Sequence, residues 1–255
     1  MQPLAPLLLV LTGTLPGSGA FDHSVFDTLL GRHVEDGLVD YDAFAGSAEF
    51  DSYLDALAAA RPAELPPPDR LAFWNNVYNA YTIEQIVAHG ERRSIRNINK
   101  TLGLLPLKEP WSEKMVRAGG RTLTLDDVEH EIIRKEFEEP RIHFALVCAA
   151  LGCPPLRGEA YTGPKLEGQL EEQARLFLRR SPAKNRVEAQ SQTVWISPIL
   201  DWYRKDFGGE DAALGRFLAR YWPEGEERSL LLSGRFRLKT TDYDRSLNAL
   251  GAGAR

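Results

Sequence analysis

The chain has 255 residues, a formal net charge of −5 and only two cysteines. Hydrophobic residues make up 43% and charged residues 26%, which is typical of a folded globular protein and excludes a disordered one. The 31 Lys and Arg residues are outnumbered by 36 Asp and Glu residues, so the charge balance does not indicate a nucleic-acid partner. Two cysteines exclude an all-cysteine zinc site, but they allow one disulfide or one reactive thiol.

The first 20 residues are typical of a secretory signal peptide. Residues 7–11 form an apolar run that is too short to span a bilayer, and Pro16 and Gly17 break it. Residues 18–20 then resemble a small-residue cleavage site, although no Lys or Arg precedes the run. We therefore expect cleavage after Ala20, one globular domain over residues 21–255, no membrane span, and a periplasmic or secreted protein. A disulfide persists in such a compartment.

Helices dominate the predicted elements, as the spacing of apolar residues indicates. They cover residues 21–34, 50–60, 69–90, 124–139, 165–179, 198–202 and 211–221. Asp69 and Thr124 are suitable N-caps, and Thr124 has the spacing of a capping box with Asp127.

A few short strands complete the prediction. They are residues 38–41, 142–147 and 193–196, and a hairpin of 229–232 with 235–239 around Ser233 and Gly234. The near-continuous apolar run 142–147 is typical of a central strand. We therefore expect an α+β fold: a helix-rich single domain packed on a small sheet.

The densest candidate site follows this predicted central strand and contains both cysteines. His143 lies on the strand, and Cys153 follows Gly152. One interpretation is a Cys148–Cys153 disulfide that closes a tight loop. Another is a nucleophilic thiolate at Cys153 with His130 or His143 as its base. Two inert buried thiols are the third.

Glu129 and His130 are neighbours on one predicted helix. They point about 100° apart, so we expect His130 to pair with Arg134, four residues on. Together with His143 and a cysteine, they form a plausible thiol, imidazole and carboxylate set. No two histidines are three or four residues apart and no two cysteines are three apart, so we predict neither a metal nor a cofactor.

Other polar side chains are candidates for binding. Asn76 and Asn79 share one face of a largely apolar helix, where buried amides either brace a loop or face a site. Asp201, Tyr203 and Asp206 lie near one predicted helix end, and residues 241–248 form a polar tail. A hydrogen-bonded surface network is the alternative for these two segments.

The order of these motifs resembles the domain-of-unknown-function family 547. The matching segments are residues 36–41, 72–80, 123–130, 141–154, 202–207 and 243–248. The chain departs from the family at Asn75, Gly152 and Arg245, where the family usually has an apolar residue, Ser and Trp. The resemblance implies an intact site around the following residues: Asn76, Asn79, Glu129, His130, His143 and Cys153.

The family name assigns no function. Similar proteins occur fused to glutaredoxin-like or signalling domains, which implies thiol chemistry or scaffolding. A papain- or transglutaminase-like general layout is our own inference from the set of cysteine, histidine and acid.

Our leading hypothesis is an exported thiol-dependent enzyme that transfers or hydrolyses the acyl group of an amide or thioester. Cys153 would be the nucleophile and His143 or His130 the base. Glu129 or Asp201 would orient that base, and Asn76 or Asn79 would donate to an oxyanion. The residues expected to bind an unknown small molecule or peptide are Asn76, Asn79, Asp201 and Tyr203. The alternative is a non-catalytic binding or scaffolding module with a structural Cys148–Cys153 disulfide. A redox protein that cycles the two cysteines is a third possibility.

Overall fold

The computed structural model describes residues 19–98, 100–101, 105–106 and 109–251. Residues 1–18 of the expected signal peptide lie outside the described residues, so its removal stays a prediction. The fold is rich in helices and contains several small sheets, which confirms the α+β class. The papain- or transglutaminase-like layout stays a prediction.

The helices alternate with short turns along most of the chain. They are α1 (Ser24–His33), α2 (Tyr41–Phe44), α3 (Ala48–Ala59), α4 (Pro67–Ala88), α5 (Arg134–Glu136), α6 (Leu166–Arg179), α7 (Pro198–Trp202), α8 (Asp211–Ala219) and α9 (Glu226–Ser233). A π-helix (Asp127–Ile133) leads directly into α5. Within the described ranges, no helix is both long and apolar enough to cross a membrane.

The strands form small, separate sheets. They are β1 (Val34–Glu35), β2 (Leu38–Val39), β3 (Lys100–Thr101), β4 (Leu105–Pro106), β5 (Val116–Ala118), β6 (Arg121–Leu123), β7 (Arg186–Glu188), β8 (Thr193–Ile196) and β9 (Arg237–Thr240). Each of the first three pairs is antiparallel. In the fourth sheet, β8 pairs antiparallel with β7 and parallel with β9, with Val194 opposite both Val187 and Leu238.

Helix α4 is the central element of the larger apolar core. Nearly every side chain from Leu71 to Ile86 is buried, as expected for a helix that is apolar on two adjacent stripes. It begins at Pro67, two residues before the predicted N-cap Asp69, because prolines suit the first turn of a helix. The capping box at the next long helix is confirmed: Thr124 N–H donates to Asp127, and Asp127 N–H donates to Thr124 Oγ1.

Two clusters of buried apolar side chains meet at residues 142–145. Ile142 and Ala145 belong to the larger cluster, which surrounds α4, whereas Phe144 belongs to the smaller C-terminal cluster. Tyr243 packs against both clusters. The segment that carries the candidate cysteines therefore begins where the two clusters join.

The predicted central strand over residues 142–147 is wrong. A 3-10 helix (Pro140–Phe144) occupies its start, and the Glu139 carboxylate caps that helix by accepting from Arg141 N–H. His143 is therefore on a helical turn. A short apolar run does not distinguish a buried strand from a buried helical turn, which explains the error.

The predicted hairpin over residues 229–239 is also wrong. Residues up to Ser233 form α9, and Gly234 ends that helix in the left-handed region at φ 64°. A glycine in this position is a common helix C-cap, so the Ser-Gly pair indicated a helix end rather than a hairpin turn. The following strand pairs with β8 instead.

Asn76 and Asn79 fasten α4 to two distant loops. Asn76 exchanges two hydrogen bonds with the backbone of Tyr161, at 2.8 and 2.9 Å. Asn79 Nδ2 donates to Ala145 O (3.0 Å), and its Oδ1 accepts from Val147 N–H (2.9 Å). Both amides therefore brace the backbone.

Asn75 provides a matched comparison, because its buried amide makes no hydrogen bond within the described part of the chain. We expect Asn79→Leu to lower the free energy of unfolding by about 2–4 kcal/mol, since Ala145 O and Val147 N–H lose their partner. Asn75→Leu should raise it by about 1 kcal/mol, because it removes an unsatisfied buried amide of similar size. Urea denaturation measures both, and equal destabilisation by the two changes would contradict this account.

Candidate functional site

The loop of residues 145–153 is held from two sides. Asn79 fixes its start, and the C-terminal tail holds its end: Leu151 N–H donates to Ser246 O and Gly152 N–H donates to Asp244 O, at 2.9 and 2.8 Å. A Cβ atom at Gly152 would lie 2.8 Å from the Tyr243 ring. Glycine is therefore required here for close approach of the tail.

A disulfide joins Cys148 and Cys153 within this loop. The Tyr243 hydroxyl lies 3.1 Å from Cys148 Sγ and 3.0 Å from Cys153 Sγ, and Cys148 N–H donates to Cys153 Sγ. Burial raises the pKa of Tyr243, so it stays a neutral phenol against the sulfurs. Cys153 is 2% exposed, whereas Cys148 is partly exposed.

His143 is held by an acidic partner beneath the loop. Its Nε2 lies 2.7 Å from Asp206 Oδ2, and its ring stacks on Tyr203 at 3.8 Å. Arg134 donates two hydrogen bonds to the same carboxylate, at 2.7 and 2.8 Å. The hydrogen bond from His143, helped by Arg134, holds the pKa of Asp206 well below its usual range.

Glu129 and His130 have separate partners, as their positions on a helix require. Arg134 NH1 donates to His130 Nδ1 at 3.0 Å, which confirms the predicted i, i+4 pair. The Glu129 side chain is only 9% exposed, and Tyr78 and Tyr203 lie near it. Burial first, and then the Glu129 charge, raise the pKa of both tyrosines. Glu129 is therefore a buried carboxylate beside two neutral phenols.

Glu129, His130, Tyr78 and Tyr203 line one cleft of about 280 Å³. Its aromatic walls come from Tyr78, Trp111, Trp202, Tyr203 and Tyr243. Its polar lining includes Asp126, Glu129, His130, Arg96 and Arg245, and the side chain of Cys148 completes it. Aromatic walls with a few fixed polar groups are typical of sites for small organic molecules.

Residues 62–178 match the model of a family described as "Protein of unknown function, DUF547". Over this segment the chain is similar to the DUF547 family. The resemblance inferred from the order of motifs is thereby confirmed for residues 62–178. No curated protein and no solved structure is similar to the chain.

The DUF547 segment contains most of the predicted catalytic residues, and the structure separates them into two groups. Glu129 and His130 line the cleft together with the sulfur of Cys148. His143 does not line this cleft and lies against Asp206. Cys153 is bonded to Cys148 but lines a second cleft. No described imidazole hydrogen-bonds to either sulfur atom. The catalytic roles of these residues stay predictions.

The predicted binding residues are also divided. Tyr203 lines the cleft. The amides of Asn76 and Asn79 are engaged by backbone, and neither lines the cleft. Asp201 is exposed and pairs with Arg204 at 2.9 Å. We expected Asp201 to orient a histidine, but the carboxylate beside His143 is that of Asp206.

Sequence reasoning missed part of the cleft lining. Beyond the DUF547 match, Tyr243 touches both sulfurs and Arg245 lines the cleft, yet only a polar tail was noted there. Within the match, Arg96 and Trp111 line the cleft and were not noted. The tail lies far from the cysteines along the chain, so the sequence did not predict the contact of Tyr243 with the sulfurs. The described residues contain no group of three His, Cys, Asp or Glu side chains that could hold a metal ion.

The lowered pKa of Asp206 predicts how its contribution depends on pH. A carboxyl group whose folded pKa is depressed stabilises the protein above its unfolded pKa of about 4, and this stabilisation is lost as pH falls below that value. We therefore expect Asp206→Asn to destabilise the protein at pH 7, and the difference from wild type to shrink at pH 3.5.

Urea denaturation at both pH values measures this difference. The control is Asp201→Asn, because Asp201 is exposed and should show little effect at either pH. An Asp206→Asn effect of the same size at both pH values would contradict the assignment.

Proposed function

We propose that the protein is an exported binding module whose cleft holds a small organic molecule or a short stretch of peptide. The observation that carries this proposal is the Cys148–Cys153 disulfide in the cleft wall. A disulfide has no nucleophilic thiolate. Both cysteines of the chain are in this bond, so the geometry favours a structural role for them.

The walls of the cleft support binding. Trp202 is 54% exposed and lies 4.9 Å from the Tyr243 ring, which gives the cleft an accessible apolar surface. Large exposed aromatic side chains next to fixed polar groups commonly mark ligand sites. Glu129 lines the same cleft with a side chain that is only 9% exposed.

Two features support export. The apolar run and small-residue site over residues 7–20 are typical of a signal peptide. A disulfide also persists in the periplasm or outside the cell, whereas cytosolic reductants keep most thiols reduced. The intact mass of the protein isolated from its producing cells tests this: export requires the loss of residues 1–20.

A thiol-dependent enzyme is the second candidate function, and the position of Cys148 favours it. The Cys148 sulfur lines the cleft beside His130 and Glu129. An external dithiol would reduce the bond to two thiols and itself become a disulfide. The Cys148 or Cys153 thiolate could then attack an amide or thioester carbonyl, with His130 supplying the proton to the leaving group.

Binding is tested with an uncharged probe that resembles a peptide, N-acetylphenylalanine amide. We expect the probe to change the tryptophan fluorescence of the wild-type protein, and Trp202→Ala to abolish binding measured by calorimetry, because the variant removes one aromatic wall. The matched control is Leu232→Ala, since Leu232 is equally exposed, on α9 and outside the cleft. Unchanged binding by Trp202→Ala would place the probe elsewhere.

The role of the cysteines is tested with Cys148→Ser and Cys153→Ser. For a structural disulfide we expect each variant to lose about 2 kcal/mol of unfolding free energy, as predicted for a closed loop of this length, and to keep probe binding. Iodoacetamide should not modify the wild-type protein before reduction, as mass spectrometry would show. Hydrolysis of a simple thioester that depends on a reductant and on either cysteine would instead support the thiol enzyme.

A further inference from the structure

The charged side chains of the cleft are not evenly distributed. Asp126 and Glu129 both lie near Tyr78, and their charges raise the pKa of its hydroxyl. Arg96 and Arg245 both lie near Tyr243. Burial raises the pKa of the Tyr243 hydroxyl, and the two positive charges act against that rise. The cleft therefore has an acidic part around Tyr78 and a basic part around Tyr243.

The acidic part has charge to offer a ligand. Glu129 forms no ion pair with a Lys or Arg among the residues described. Its Oε1 lies 3.9 Å from Nδ1 of His130, a nitrogen that accepts from Arg134. Arg134, the guanidinium nearby, donates to Asp206 and His130 instead of to Glu129. A buried carboxylate without a Lys or Arg partner gains from a cationic ligand, and the aromatic walls around it also favour a cation.

The basic part likewise has unused charge. Arg96 and Arg245 are both exposed, and neither forms an ion pair in the described part of the chain. The Arg245 guanidinium lies 5.6 Å from the centre of the Tyr243 ring, so it is placed at the cleft wall. A guanidinium group binds carboxylates in a two-pronged geometry, which makes an organic anion the suitable partner.

We propose that the cleft binds a dipolar organic molecule of amino-acid size, with its ammonium group at Glu129 and its carboxylate at Arg96 and Arg245. This inference rests on the proposed binding function and names its ligand class. The cleft volume of about 280 Å³ is at the lower end of the range for small-molecule sites, which suits an amino acid or the end of a peptide. The indole and phenol rings that line the cleft would pack against its side chain.

Three matched probes test the proposal on the full-length protein by calorimetry at pH 7. L-phenylalanine carries both charges, phenethylamine lacks the carboxylate, and 3-phenylpropionate lacks the ammonium group. We expect L-phenylalanine to bind at least about tenfold more tightly than either analogue, because each analogue leaves one charged part unpaired. This comparison needs no variant, so it does not depend on how a buried substitution folds.

Arg245→Gln assigns the carboxylate position. The variant should weaken the binding of L-phenylalanine, with Arg96 keeping part of the contact to the carboxylate, and should leave the affinity for phenethylamine unchanged. The control is Arg235→Gln, an exposed arginine that does not line the cleft. Glu129→Gln should conversely weaken phenethylamine and spare 3-phenylpropionate.

The outcomes separate this inference from the proposed function. Equal affinity for L-phenylalanine and phenethylamine would overturn the dipolar ligand. So would binding of the uncharged N-acetylphenylalanine amide with no binding of the three charged probes, although the binding module itself would then stand. Failure of all four probes would overturn both.

Discussion

The side-chain amide of Asn79 is the interaction on which the candidate site depends. It pairs with the carbonyl of Ala145 and the N–H of Val147, so it fixes the backbone just before Cys148. Both partners are buried, and a buried backbone group without a partner costs roughly 1–3 kcal/mol. The backbone of residues 145–147 is therefore fixed against α4, and this positions the start of the cysteine loop without the disulfide.

The tail supplies the second constraint, and it explains why the cleft needs the whole chain. Tyr243 lies directly on Gly152 and reaches both sulfurs, while Trp202 packs on the other side of its ring. These aromatic residues lie outside the DUF547 match, although the cysteine loop lies inside it. The cleft is thus lined from both sides of this boundary: Tyr78 and Trp111 lie within the match, whereas Trp202, Tyr203 and Tyr243 follow it.

Structural features that depend on residues close together in the chain were predicted correctly. The capping box at Thr124 and the Arg134–His130 pair both depend on neighbours within four residues. The errors at residues 142–147 and 229–239 arose where a short apolar run or a glycine suits two structures. The contacts of His143 with Asp206 and of Cys148 with Tyr243 span 63 and 95 residues, and spacing carries no information about them.

The two cysteines of the disulfide line different clefts. Cys148 lines the aromatic cleft, whereas Cys153 lines a second one, where Lys184 donates to the Cys153 carbonyl at 2.8 Å. Burial lowers the pKa of Lys184, so this cationic neighbour is itself partly withdrawn from water. Because Asn79 and the tail hold the loop independently of the bond, the disulfide is not needed to position the backbone. Its distinctive contribution is to keep the two sulfur atoms together in the wall that separates the clefts.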